Sequence, residues 1–169
     1  MIGHVATACL VAVGLTFSVA AWNKARGRVQ RQAALSLVQA ATGLTGVRAG
    51  IAVTALVAVE TAVPVALAVP PWRPVGGWLA VALSVGLLGG VLLLADRDVP
   101  CACFGEPTAM VSGLHAVRNA GLVALAIGGA VAPPLPLTVP TAVAGILLCL
   151  CIVRFEALGA AVRAIRVTP

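Results

Sequence analysis

The sequence predicts an all-α, polytopic transmembrane bundle of about five spans, a four-helix core plus one, forming a single integral membrane domain over its 169 residues. Two observations carry this expectation. Hydrophobic residues make up 61% of the chain against 9% charged, and the mean hydropathy is +1.10, so hydrocarbon rather than water is the solvent that suits it. The apolar residues are also gathered into runs of membrane-crossing length, about 20 residues, separated by charge or proline.

The first run, Met1 to Trp22, has no formal charge apart from His4. Ser18-Val19-Ala20 resembles a leader cleavage site, but a leader would carry a basic n-region and would not be followed by further apolar runs. The run is therefore read as the first span. Asn23 to Arg48 then brings Lys24, Arg26, Arg28, Arg31 and Arg48 with no acidic residue. Its mildly apolar middle, Ala33 to Val47, is broken by Gln39, Thr42, Gly43 and Gly46, and predicts a short interfacial helix. The second span covers about Ala49 to Val69, stopped by Pro70-Pro71. The third covers about Val75 to Ala95, after which Asp96-Arg97-Asp98 returns the chain to water in a polar loop over 96–112. From Asn119 to Val153 there is no charge, a stretch too long for one crossing. Pro133-Pro134-Leu135-Pro136 supplies the reversal, giving spans of about Gly113 to Ala132 and Leu137 to Val153. The abundant small residues, 18 glycines among them, suit helices whose backbones approach closely in lipid.

With five crossings, the basic loop, the loop after the third span and the C-terminal tail share one side. That side holds all of the eleven Lys and Arg residues except Arg73. The positive-inside bias makes it cytoplasmic and the amino terminus external, in a multi-pass protein of the cell (inner or plasma) membrane. The net charge of +6 is then explained by topology and by contact with anionic headgroups of the lipid bilayer. No aromatic-interleaved basic patch accompanies it, so nucleic acid is not an expected partner.

Five cysteines are present. Cys9, Cys149 and Cys151 lie in spans, where a free cysteine is a small hydrophobe. Residues two apart on a helix point to different faces, so Cys149 and Cys151 cannot close on each other. Cys101 and Cys103 differ, because Pro100 and Pro107 hold their segment out of a helix and an extended segment puts residues two apart on one face. A bridge there would close a very small ring, and strained, exposed disulfides are oxidising and labile. The pair is read as a catalytic dithiol, beside the plainer readings of two unreactive loop thiols or part of a soft-metal site lacking its other ligands.

Glu60 falls near the middle of the second span, where a carboxylate must face the bundle interior and pair with a base or be protonated. Lys24, Arg118 and Asn119 are its candidate partners, and a helix-packing hydrogen bond is its plainer role. Arg118, just after the dithiol loop, is placed to favour a thiolate. His4 and His115, each lone and near a span end, read as interfacial. No phosphate loop, nucleophile elbow, catalytic carboxylate pair or HExxH metal motif occurs.

Taken in order, Lys24-x-Arg26 after the first span, Glu60 with Pro64 in the second, Cys101-x-Cys103-Phe104-Gly105 after the third and Arg118-Asn119 opening the fourth resemble the MauE family, a relative of the DoxX-like membrane proteins. The resemblance covers most of the chain, and its specific part is the dithiol loop followed by Arg-Asn. Ala102 stands where glycine is usual. The resemblance implies a DoxX-like four-helix core and a redox-associated membrane protein that works with a thioredoxin-like protein and its client. In the family this supports maturation of the disulfide-rich methylamine dehydrogenase small subunit. Cys101 and Cys103 are then the catalytic pair, supported by Lys24, Arg26, Glu60, Phe104, Gly105, Arg118 and Asn119. No cofactor is assigned by the sequence, and a quinone is the one candidate. The rival function is a non-enzymatic assembly or small-molecule-binding module in which Glu60, Lys24 and Arg118 organise a polar pocket. Family partners of thioredoxin type act outside the cytoplasm, whereas the charge count puts the dithiol inside.

Overall fold

The computed structural model describes residues 1–95, 113–131 and 135–155. Cys101, Cys103, Phe104 and Gly105 lie outside the described residues. The described chain forms α1 (Ile2–Arg26), α2 (Arg28–Thr42), α3 (Gly46–Ala68), a 3-10 turn (Pro70–Trp72), α4 (Arg73–Leu94), α5 (Gly113–Val131) and α6 (Val139–Val153). No strand occurs among the described residues.

α1 is the axis of the bundle. It packs against α3, α5 and α6, while α4 closes a four-helix ring between α3 and α5, and α6 lies along the outside of α1. The central position shows in burial: 61% of the apolar stretch of α1 is buried, against 22% for α3 and 33% for α5. The remaining outer faces are the exposed Val, Ile and Leu side chains that lipid covers. Four helices, α1, α3, α4 with its leading turn, and α5, are long and apolar enough to cross a membrane. α6 is apolar throughout but has 15 residues, a rise of about 22 Å against a hydrocarbon core of about 30 Å.

Small residues set the helix spacing. A Cβ on Gly145 of α6 would lie 2.6 Å from Val11 and 2.9 Å from the Ala8 carbonyl oxygen, and one on Gly76 of α4 would lie 2.9 Å from the Leu67 backbone nitrogen. Both glycines are needed because backbones meet there, the close approach that association without aqueous hydrophobic drive favours. The connection into α6 is tied to α1 by Thr7, whose hydroxyl donates to the Leu135 carbonyl and accepts from the Leu135 N–H, each at 3.0 Å. α6 then opens with a capping box between Thr138 and Thr141.

The interfacial helix begins and ends earlier than the expected 33–47. Gly27 is extended and turns the chain out of α1, and Gly43 takes the left-handed conformation at φ 72° with its N–H bonded to the Gln39 carbonyl. That αL cap closes α2 at Thr42. α2 lays Ala33 and Ala34 against Val53 of α3 and leaves Arg28 and Arg31 exposed.

Two apolar clusters run across the bundle. One joins Val13 and Phe17 of α1 to Val63, Ala80, Leu122, Ala126 and Ile152. The other joins Ala20 to Val91 and Leu94, flanked by Leu37, Ala116 and Val153. This second cluster gathers the end of α1, the end of α4, the start of α5 and the end of α6 at one face, which also carries Lys24, Arg26, Arg28, Arg31, Arg48 and Arg154 by chain direction. α4 ends and α5 begins on that same face.

Candidate functional site

The spacing of side chains along each helix brings a polar layer against these clusters. On α1, Lys24 follows Phe17 and Ala20 at helical spacing. On α3, Glu60 stands one turn from Val63. On α4, Ser84 stands one turn from Ala80. On α5, His115, Arg118 and Asn119 lie on either side of Ala116, with Arg118 and Asn119 one turn and His115 two turns from Leu122. All six polar side chains are buried. Four helices therefore contribute to one polar zone inside an otherwise apolar bundle.

Its centre is an ion pair. Lys24 Nζ donates to Glu60 Oε1 at 2.7 Å and to Oε2 at 3.0 Å, with Glu60 at 0% and Lys24 at 4% exposure. Gly14 faces Leu67 across the antiparallel α1–α3 contact, so ten residues along α1 Lys24 comes level with Val57, ten residues back along α3. Glu60 lies three residues deeper, about 4.5 Å by helical rise, a distance the lysine stem spans readily. Pro64, one turn on, lacks the N–H that would otherwise bond the Glu60 carbonyl. A carboxylate at this depth is tolerable only with such a partner, and the helix-end lysine supplies it.

The other members of the layer differ in their bonding. Among the described residues, both amide atoms of Asn119 and the hydroxyl of Ser84 have no hydrogen-bond partner despite full burial. Arg118 and His115 are buried at 3% and 2% exposure. The interfacial position expected for His115 is thus corrected: it faces the bundle, because it lies one turn before Asn119 on the inward stripe of α5, whereas His4 is exposed. Of the three candidate partners for Glu60, Lys24 is the one that meets it.

Arg26 stands apart from the layer. It is exposed, with its guanidinium 3.9 Å above the Trp22 ring, the arrangement of a cation–π anchor at a membrane surface. Ser84 was missed in the sequence, although it is the sole hydroxyl of its span. Cys9 and Cys149 are buried and Cys151 is exposed, as residues two apart on one helix must differ. Two clefts of about 410 and 450 Å³ flank α1 and share Ser18, Pro64 and Ala68. Neither is lined by a member of the polar layer.

A helical bundle with an apolar exterior, membrane-length helices and a charge pair sealed at its centre defines a multi-pass membrane protein. The chain belongs to the MauE family, described as methylamine utilisation protein MauE, whose family model matches residues 2–132. The match spans α1 to α5 and stops before α6. No curated protein and no solved structure matches the chain.

Proposed function

We propose that the protein is the membrane component of a thiol–disulfide relay in the cell (inner or plasma) membrane, in which Cys101 and Cys103 exchange with a thioredoxin-like partner that serves a client protein. A partner thiolate attacks one sulfur of the Cys101–Cys103 disulfide, and the other sulfur leaves as a thiolate. The partner's second thiolate then attacks the mixed disulfide, so that the partner departs oxidised and the two loop thiolates take up the two protons the partner's thiols gave up, leaving a dithiol. Two electrons have passed to the loop. A membrane quinone that takes up two electrons and two protons, becoming a quinol, restores the disulfide.

The observation that carries this reading is the placement of a two-residue-spaced dithiol in the segment that joins α4 to α5. The described residues that flank that segment, Ala95 and Gly113, lie at the same end of the bundle. Arg118, little more than a turn into α5, favours a thiolate by its charge. Lys24, Glu60 and Asn119 support the bundle, Phe104 and Gly105 complete the cysteine motif in sequence, and Arg26 anchors the helix end. Membership of a methylamine-utilisation family agrees with a role in maturing a partner protein.

Single replacement of Cys101 and Cys103 by serine tests the relay. One of the two variants accumulates a reductant-sensitive covalent adduct with a thioredoxin-like protein. If neither does, and the double variant retains the phenotype, the relay is wrong and a non-enzymatic assembly role takes its place.

A further inference from the structure

We infer that Glu60, Lys24, Ser84 and Asn119 enclose a hydrated proton-exchange site inside the bundle, with ordered water as its ligand. Leaving a buried donor or acceptor unmade costs about 1–3 kcal/mol. Here the Asn119 amide oxygen and nitrogen and the Ser84 hydroxyl all lack partners among the described residues, on adjacent helices whose contacts, Gly76 on Leu67 and Gly129 on Leu10, bring Ser84 level with Val59 of α3 and Asn119 level with Ala20 of α1. The ion pair has capacity left as well: its described hydrogen bonds use one lone pair on each Glu60 oxygen and two of the three ammonium donors of Lys24. Polar groups gathered in one sealed layer, each short of bonds, are the setting in which buried water is found.

Glu60 is the only acid among the described residues. Lys24 faces it from α1, and α5 brings His115 and Arg118 into the same layer. α4 brings Ser84 and no titratable group, while the charges of α2, Arg28 and Arg31, are exposed. A proton arriving through the water converts the Glu60 carboxylate to the acid and leaves Lys24 charged; its departure restores the pair. The existence of the site is independent of the relay, but its role rests on that reading. Each return of the loop to the disulfide passes two electrons and two protons to the acceptor, and Glu60 takes and hands on one of those protons.

The test uses the full chain in lipid nanodiscs. Infrared difference spectra between acid and alkaline buffer should show a carboxylic-acid carbonyl band that shifts promptly in heavy water and is absent from Glu60→Gln. Asn119→Leu, similar in size, removes the orphaned amide. In a hydrated site it slows heavy-water exchange of that band. An Asn119→Leu protein with a raised melting temperature and a band that exchanges as fast as wild type means a dry core, and overturns the proposal. Absence of the band from wild type does the same. Recording the band in the Cys101→Ser/Cys103→Ser double variant separates the two ideas: a band there with no covalent partner adduct in the single variants condemns the relay alone.

Discussion

Glu60 and Lys24 show how one residue's cost dictates another's geometry. An isolated carboxylate in the bilayer interior is unfavourable by several kcal/mol, so the lysine two residues from the end of α1 turns inward to it instead of reaching for the headgroups. Such pairs add little net stability compared with well-packed apolar residues, yet breaking one costs about 3–5 kcal/mol. Lys24→Met should therefore destabilise the purified protein by about that amount, whereas Lys24→Met with Glu60→Leu should recover most of it, both read from unfolding in detergent micelles. If the double variant is no more stable than Lys24→Met, the pair is not the source of the cost. The same two residues show the limit of sequence reading. That a mid-span acid needs a base was legible, but the choice of Lys24 over Arg118 depended on the α1–α3 register, which no pattern in either helix encodes.

At the scale of the elements, the helices were legible from hydropathy and proline placement, because in lipid every backbone N–H and C=O must be satisfied within its own segment. Their ends were less so. α2 stops where Gly43 adopts a left-handed cap, and glycine marks such a cap and an ordinary helix position alike. Spacing between helices was also hidden, since a glycine that admits a neighbouring backbone looks like one that faces open space. Gly145→Ala should destabilise the α1–α6 contact by about 1–3 kcal/mol through overpacking against Val11 and Ala8. Gly90→Ala, where a Cβ meets nothing within 4 Å, should instead stabilise by about 0.5–1 kcal/mol through the lower entropy of the unfolded chain. Melting temperatures of the two variants, measured side by side, check both signs; a Gly145→Ala protein as stable as wild type means that α6 does not pack as described.

For the whole molecule, the consequence that matters is sidedness. α3 and α4 together cross twice, so the basic loop around Arg31 and the chain on either side of residues 96–112 share a face whichever way the bundle is inserted. A reporter fused after Arg31 should be cytoplasmic by the charge bias, and a membrane-impermeant thiol reagent applied to intact cells should then leave Cys101 and Cys103 unlabelled. Labelling together with an external reporter keeps the bundle and rejects the charge rule for this protein, which suits a thioredoxin-like partner outside the cytoplasm. Labelling with a cytoplasmic reporter contradicts the fold itself.

Read along one dimension, the residues establish a helical membrane protein, roughly where its helices lie, that Glu60 needs a base, and that two cysteines separated by one residue stand between the third and fourth long spans. Each is a local consequence of composition: apolar length, proline, and the cost of charge in hydrocarbon act on a segment irrespective of its neighbours. Packing between helices set α1 as the axis and Lys24 as the base, turned His115 inward while Arg26 stays at the surface, and buried Ser84 and Asn119 inside the bundle. Those facts depend on rotation and register between helices. They are set by small-residue contacts such as Gly145 on Val11 and Gly76 on Leu67, which a one-dimensional pattern cannot distinguish from any other glycine in a span.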